Sequence, residues 1–405
     1  MRLLKRPARL LWTSLKKTFD HMRILYISNN SSVGGAPAAL LNLVRVLKDR
    51  HEVAVMMPDA DGPLFRAMEE MGVKCYTSVI YCLSIWPRVI NPFKYARRIR
   101  DLRRNRTKVR EYVGRVLDEF MPDIVHTNVG PLDIAADECR KRKIPHVWHL
   151  REYQDLDFGM RYFPGGASAF REMIRQENNH CIAITRDILR HWNPAGDSKV
   201  IYDGVFSCSS DLYQPAQREG WFLYAARIEK GKGLMNLLAA FREYKRAGGK
   251  YRLLVAGRPC GIYAHKCRLF VKVNSLTSEV DFLGNRSDVF GLMRKASAFV
   301  MPSLFEGFGF TTAEAMYNRC IVIGHDTAGT REQFDNGLKI KGRNIALRYK
   351  TVPELTRYMH FVEKGDESLE LMREDAYDVV TSLYTAEKCA SEVENYYKSV
   401  LGYEE

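Results

Sequence analysis

From residue 23 onward, short apolar runs alternate with longer segments whose apolar positions recur every three or four residues. Residues 24–28 read as a strand and 38–48 as an amphipathic helix, with Gly34-Gly35 in the turn between them. Further strands are predicted at 53–57, 123–126, 146–150, 181–184 and 200–202, with a helix at 134–142. The alternation then restarts with a strand at 221–225, a helix at 234–246 closed by Gly248-Gly249, and strands at 252–256, 280–283, 298–301 and 320–323. Residues 367–401 carry helical periodicity. Buried runs this short, separated by helices, imply right-handed crossovers and a parallel, doubly wound sheet. Two such series predict an α/β chain of two Rossmann-like domains.

The polar stretch 206–220 reads as the linker between them, with Ser207, Ser209, Ser210, Pro215 and Gln217. The expected organisation is a basic extension at 1–21, a first domain at 22–205, a second at 221–384 and a final helix at 385–405. A length of 405 residues accommodates two domains. Two facing α/β domains bring the carboxyl ends of their strands to one cleft, where ligands bind.

The net charge of +14 suggests a nucleic-acid partner until its distribution is read. Residues 1–21 hold +5 and residues 94–110 hold +8, so the rest of the chain is near neutral. Two basic patches on a neutral body suit a local anionic surface. Near the first patch, Leu11, Leu15 and Phe19 repeat every four residues beside Trp12. That spacing fits an amphipathic helix on a membrane surface, and a start at Met22 with a dispensable extension fits equally well. No uncharged stretch has the length and continuity of a membrane span. Nine cysteines without a C-x-x-C pair read as reduced thiols of a cytosolic protein.

Candidate chemistry falls after two strands. Arg227, Lys230 and Lys232 precede the helix at 234, where the helix dipole disfavours cations. With Gly231 and Gly233 and the exposed helix amides they form an anion site suited to phosphate. The second site is Glu306-Gly-Phe-Gly-Phe-Thr-Thr-Ala-Glu314, where Gly307 and Gly309 lead into a helix beginning near Thr311. Glu314 also fits a capping box with Thr311, a purely structural duty. Glu306, a carboxylate before two glycines, has no comparable duty.

These motifs, together with Gly34-Gly35-Ala36, Asp123-Ile-Val-His126, His149, Ile201-Tyr-Asp-Gly204 and Ala328-Gly-Thr-Arg-Glu332, resemble family 4 of the retaining glycosyltransferases, over most of residues 22–400. The resemblance implies a GT-B fold whose C-terminal helices return to the first domain. It implies that Arg227 and Lys232 hold the donor diphosphate, that Glu306 meets the sugar near the reacting carbon, and that Glu314 meets the ribose hydroxyls. The amides of Phe310 and Thr311 would face the phosphate, with Gly34 and Gly35 at the donor site and His149 hydrogen-bonding a sugar hydroxyl. A nucleotide-sugar donor, UDP by preference, and a surface glycan or glycolipid acceptor follow, with no metal or other cofactor and no dedicated protein base. Asp203 stands where the family usually has asparagine, a change expected to alter only a turn, and Thr127-Asn128 replaces a second histidine.

Metal readings fail on the residues. His146 and His149 are three apart on a strand and point to opposite faces. Asp59-Ala-Asp61 and Asp155-Leu-Asp157 imitate a metal-binding D-x-D by coincidence. The rival activities are another GT-B chemistry, a nucleotide-sugar epimerase or a phosphorylase. A basic nucleic-acid-binding protein is disfavoured, because the basic stretch lacks regularly interleaved aromatics. The expected place of action is the cytoplasmic face of a membrane, with the chain attached peripherally through residues 78–112 or the N-terminal segment.

Overall fold

The structure, a computed structural model, describes residues 21–32, 34–78, 85–87, 91–207 and 216–403, without the side chains of Ile85 and Trp86. The amphipathic segment with Leu11, Trp12, Leu15 and Phe19 lies outside the described residues, as do Cys82, Cys208, Ser209, Ser210, Pro215 and the apolar positions Ile80, Tyr81, Leu83, Val89 and Ile90.

The first half runs β1 (Arg23–Ile27), α1 (Gly35–Leu47), β2 (Glu52–Met57), α2 (Pro63–Glu70), β3 (Lys74–Thr77), β4 (Ile85–Pro87) and α3 (Pro92–Phe120). It continues through β5 (Ile124–Thr127), α4 (Ala136–Arg142), β6 (His146–Leu150), α5 (Asp155–Phe158), β7 (Met160–Tyr162), α6 (Gly166–Ile174), β8 (Asn179–Ala183), α7 (Arg186–Trp192) and β9 (Lys199–Val200). Seven of these strands form one parallel sheet in the order β3-β2-β1-β5-β6-β8-β9. β1, β5 and β6 sit centrally and are buried almost throughout, which is why they read as unbroken apolar runs. β4 and β7 pair separately and antiparallel, a small sheet that periodicity did not reveal.

The second half contains β10 (Trp221–Ala225), α8 (Leu234–Arg246), β11 (Arg252–Ala256), α9 (Gly261–Val273), β12 (Val280–Gly284), α10 (Val289–Lys295) and β13 (Ala298–Met301). After these come α11 (Phe310–Tyr317), β14 (Ile321–His325), α12 (Ala328–Lys341), β15 (Leu347–Tyr349) and α13 (Val352–Lys364). Its sheet is also parallel, ordered β12-β11-β10-β13-β14-β15. In both sheets the strand order reverses beside the first strand, which opens the crevice that ligands use in such folds.

The helical tail is two helices, α14 (Ser368–Leu383) and α15 (Ala386–Val400). The break falls at Tyr384-Thr385, where the Thr385 hydroxyl accepts from the Lys388 amide and caps α15. α15 packs on the first domain: Val393, Tyr396 and Tyr397 join the core built from β1, β2 and α1, and Tyr396 donates to the Cys181 carbonyl at 3.2 Å. The halves also meet directly, with the Thr185 hydroxyl donating to Gly307 O at 3.2 Å and the Arg186 amide to Glu332 at 2.9 Å.

Candidate active site

The loop after β10 is shaped by one glycine. Gly233 has φ of 69°, and a Cβ there would lie 1.9 Å from the Pro302 carbonyl oxygen. The loop therefore presses on the end of β13, and Leu304 N donates to Gly231 O at 3.0 Å. This contact joins the two segments expected to hold the donor. Lys232 Nζ lies 2.7 Å from Glu306 Oε1. Arg227 points elsewhere, pairing with Glu229 at 3.0 Å with its side chain 47% exposed, against 24% for Lys232. α8 begins without an acidic residue in its first turn and without a side-chain cap from its N-cap residue; the Tyr263 hydroxyl accepts from the Met235 amide at 3.0 Å, so the Leu234 amide is the donor left for a ligand.

The second loop enters α11 through Gly309, which is the N-cap, and no side-chain cap forms. The capping box between Thr311 and Glu314 is therefore absent: Thr311 already lies inside the helix, too late to cap it. Gln333 Nε2 instead donates to the carbonyls of Phe308 and Gly309, at 2.7 and 3.1 Å, fixing the turn. The amides of Phe310 and Thr311 have no intrahelical acceptor by helix geometry. Burial pushes the Glu314 carboxyl up to about 7, so near neutrality it can donate or accept. A Cβ on Gly35 would lie 3.7 Å from the Phe310 ring, so the glycine turn of the first domain faces the α11 N-terminus across the cleft.

The segment after β6 closes the cleft from the first domain. A Cβ on Gly307 would meet Arg151 O at 2.2 Å, and one on Gly231 would meet Asp157 O at 3.4 Å. Residues 151–157 thus lie against both donor loops. Burial and the neighbouring Asp157 charge push Glu152 up to about 8, and burial pushes Asp157 up to about 6. Arg151 and Glu152 are absent from the sequence-based expectations, and Asp157 enters them only as half of a coincidental D-x-D, although Arg151-Glu152 directly after a buried strand is a visible signal.

His149 does not reach the cleft surface. Its side chain is fully buried, with Nδ1 3.1 Å from both His126 Nε2 and Arg151 Nη2. Residues two apart on an extended strand end share a face, so Arg151, nearer the mouth, covers His149. In this arrangement the expected contact with a sugar hydroxyl requires Arg151 to move aside. Asp203 is also more than a turn residue. It is buried and forms an ion pair with Arg151, while its Oδ1 lies 3.8 Å from His149 Nε2.

The metal look-alikes are engaged locally. Asp59 accepts from the Ser31 hydroxyl and the Asp61 amide, and Asp157 accepts from the Tyr153 amide at 2.9 Å. His146 binds Thr127 at 2.7 Å and Asn179 at 3.0 Å, apart from the partners of His149. Among the described residues no three His, Cys, Asp or Glu side chains gather as a metal site.

Comparison with known proteins follows this division. Residues 33–205 match the description Glycosyltransferase Family 4, and residues 213–379 match Glycosyl transferases group 1. An α-1,4-N-acetylgalactosaminyltransferase of Campylobacter jejuni, named for an undecaprenol-diphosphate-linked acceptor, is 22% identical over 302 residues, 73% of this chain and 77% of its own. A lipopolysaccharide core mannosyltransferase of Rhizobium leguminosarum is 26% identical over 183 residues, 44% of this chain and 50% of its own. Among solved structures, Anabaena HepE in complex with UDP and glucose superposes with a TM-score of 0.74 at 17% identity, covering 94% of this chain and all of that one. Sucrose-phosphate synthase from Thermosynechococcus elongatus gives 0.72 at 16% identity over 94% of this chain and all of its own. With both halves matched, and with two parallel-sheet domains meeting at a cleft that holds Lys232 and Glu306, the chain belongs to family 4 of the GT-B glycosyltransferases.

Proposed function

We propose that the chain transfers a sugar from UDP to a lipid-linked or surface glycan, with retention of anomeric configuration and without a divalent cation. The observation that carries this reading is the Lys232–Glu306 pair, set between two glycine-shaped loops that each lead into a helix N-terminus. A diphosphate placed there meets the first amide of α8 and the amides of Phe310 and Thr311 in α11, together with Lys232. Arg227, exposed at the same loop, swings from Glu229 to the phosphate. As the nucleotide departs, its growing negative charge falls on these preorganised donors, which is the charge compensation that a metal ion supplies elsewhere. Glu306 faces the positive charge developing at the anomeric carbon. The leaving phosphate takes the acceptor proton on the same face, so no protein base is required. Glu314 holds the ribose hydroxyls.

UDP is favoured because the similarly folded HepE is described with UDP and glucose. The lipid-linked acceptor is supported by the name of the Campylobacter relative. A peripheral attachment to the cytoplasmic face of an anionic membrane fits the basic helix α3, and no helix among the described residues is long and apolar enough to cross a membrane. The test is thermal melting of the full chain against UDP, GDP, ADP and their sugars, with and without EDTA. Ligand at a hundred times its dissociation constant stabilises by about 2.7 kcal/mol. The expected result is a rise in melting temperature with UDP and its sugars that EDTA leaves unchanged. No rise with any nucleotide diphosphate overturns the donor assignment, and a rise that disappears in EDTA overturns metal independence.

A further inference from the structure

Helix α15 sends one side chain through the first domain's core to the buried histidines. The Tyr397 hydroxyl lies 2.5 Å from His126 Nδ1 and 3.1 Å from the Tyr26 hydroxyl. His126 Nε2 lies 3.1 Å from His149 Nδ1, and Arg151 Nη2 lies 3.1 Å from that same nitrogen. Tyr26, His126, His149, Arg151 and Tyr397 are all buried. Arg151 is itself held by the Asp203 ion pair and donates to the carbonyl and side-chain oxygens of Asn128, at 2.9 and 3.1 Å.

The direction of each hydrogen bond follows from what each group can give. A guanidinium has donors and no acceptor, so His149 Nδ1 must accept from Arg151. Burial and the Arg151 charge hold both histidines far below the usual imidazole range, so each ring carries one proton. That of His149 is therefore on Nε2. Since His149 Nδ1 carries a lone pair and no proton, His126 Nε2 faces it as a second donor sharing that lone pair, which leaves His126 Nδ1 with a lone pair of its own. Tyr397 then turns its proton to His126, with the Tyr26 hydroxyl 3.1 Å from its oxygen. Burial keeps both phenols protonated, as this chain requires. The opposite direction would set a histidine N–H against the Arg151 N–H at the shared nitrogen, a donor facing a donor.

We propose that Tyr397 is a positioning residue for His149: the returning helix orients the His126 ring and, through it, holds His149 as the neutral tautomer with its proton on Nε2. The proposal rests on the reading of His149 as part of the glycosyl-transfer site. The Nε2–H tautomer is the one with a proton to give to a sugar hydroxyl once Arg151 moves aside; until then His149 Nε2 has no hydrogen-bond partner among the described residues, its nearest carboxylate being Asp203 Oδ1 at 3.8 Å. An element 271 residues away from His126 in sequence thereby sets the state of the first-domain wall.

The experiment is nitrogen NMR of the full chain labelled at histidine, with His126→Gln and His149→Gln used to assign the two rings. The expected wild-type spectrum shows an unprotonated Nδ1 and a protonated Nε2 on both. Tyr397→Phe keeps the ring and removes the hydroxyl. It should leave His126 averaging between tautomers and lower kcat on the best-stabilising nucleotide sugar by about tenfold, with the donor KM within about twofold. Tyr26→Phe removes only the hydroxyl beyond Tyr397 and should keep the wild-type His126 pattern. A protonated Nδ1 on either wild-type histidine overturns the proposal, and this needs no variant to fold. A folded Tyr397→Phe protein with wild-type spectrum and wild-type kcat overturns it as well. Correct tautomers in a chain that turns over no nucleotide sugar support the positioning and count against the functional reading instead.

Discussion

Lys232 Nζ and Glu306 Oε1 stand 2.7 Å apart at the meeting point of two loops separated by 74 residues. Without ligand each neutralises the other. On the proposed reading, a diphosphate entering the site draws Lys232 away and releases Glu306 toward the sugar. The pair thus links donor binding to the readiness of the carboxylate, and its two members should respond differently to substitution.

Lys232→Ala removes the half-buried cation of the phosphate loop and should cost roughly 2–4 kcal/mol of transition-state stabilisation, the scale of a lost preorganised donor. Arg227→Ala should cost less, because its side chain is 47% exposed and more fully screened. Steady-state kcat/KM on the nucleotide sugar measures both. Full activity in the Lys232 variant would remove the diphosphate from this loop.

Glu306→Gln should act in opposite directions on binding and turnover. Glutamine cannot neutralise Lys232, so the lysine is freed for phosphate and UDP should bind as tightly as before, or more tightly. Turnover should fall by roughly 10²–10³, since the group facing the developing positive charge is lost. Calorimetry with UDP alongside kinetics separates the two effects. Weaker UDP binding with unchanged turnover would place Glu306 on the phosphate side of the site.

Much of this is legible in the sequence. The strands at Trp221–Ala225, Arg252–Ala256 and Ala298–Met301 and the helix Leu234–Arg246 begin and end where their apolar runs do, because buried parallel strands and amphipathic helices leave an unmixed pattern. β3 and β15, at sheet edges, and the outlying β4–β7 pair escape it, because short strands that are only partly buried leave no unbroken apolar run. Lys232 and Glu306 are legible because each contradicts local stability rules. The cap expected of Glu314 is not, since Gly309 starts α11 earlier than Thr311 does. Tyr397 gives no signal at all, as a tyrosine on the apolar stripe of a helix looks like any core residue. The role of Asp203 is hidden because its partner, Arg151, is distant in sequence.

Asp203→Asn tests that correction. Arg151 and Asp203 are both buried, and removing one member of a buried ion pair strands the other charge. The substitution should cost roughly 3 kcal/mol of stability, read as a lower urea midpoint. If asparagine is tolerated without loss, Asp203 is not the counter-charge of Arg151. Replacing Arg151 with methionine in the same protein should recover much of the lost stability, because neither charge is then left alone.

Glu314 makes stability depend on pH. Its carboxyl is pushed up to about 7 by burial, from an ordinary 4.5. Between those values the folded state holds a proton that the unfolded chain releases, so this contribution falls as pH rises through the window. Each tenfold weakening of the acid is worth about 1.4 kcal/mol, so with allowance for partial exposure the loss is on the order of 2 kcal/mol. Glu314→Gln cannot ionise and should gain melting temperature relative to wild type between pH 5 and pH 8. Glu152, pushed up to about 8, titrates in both proteins and cancels in the comparison. A difference that is flat with pH would mean that Glu314 titrates normally.

The last prediction concerns α3. Phe93, Arg97, Arg100, Arg104 and Lys108 follow one another at spacings of four, three, four and four, which sets them on one face of the helix. Phe93 is 84% exposed and the four basic residues are exposed too, while Leu102, Val109 and Val113 bury the opposite face. Arg97 and Arg100 flank Asp101 at 3.8 Å each, and Arg106 and Arg110 do not belong to this face, being taken by Asp133 and Asp137, so the patch is smaller than the charge count implies. A helix anchored on one side and lined with arginine and lysine on the other can lie along an anionic bilayer with Phe93 among the headgroups. At about 1 kcal/mol per basic residue near such a surface, four give useful and reversible attachment. Flotation with liposomes of rising anionic-lipid content should therefore recover the full chain at low salt and lose it progressively as salt is added. Changing Arg97, Arg100, Arg104 and Lys108 to Ser should abolish flotation of a chain started at Met22. Phe93→Ala should weaken it by an amount that salt does not alter, because the ring contributes burial and not charge. If the fourfold variant started at Met22 floats as well as its parent, α3 is not the attachment surface, and the acceptor reaches the cleft without it.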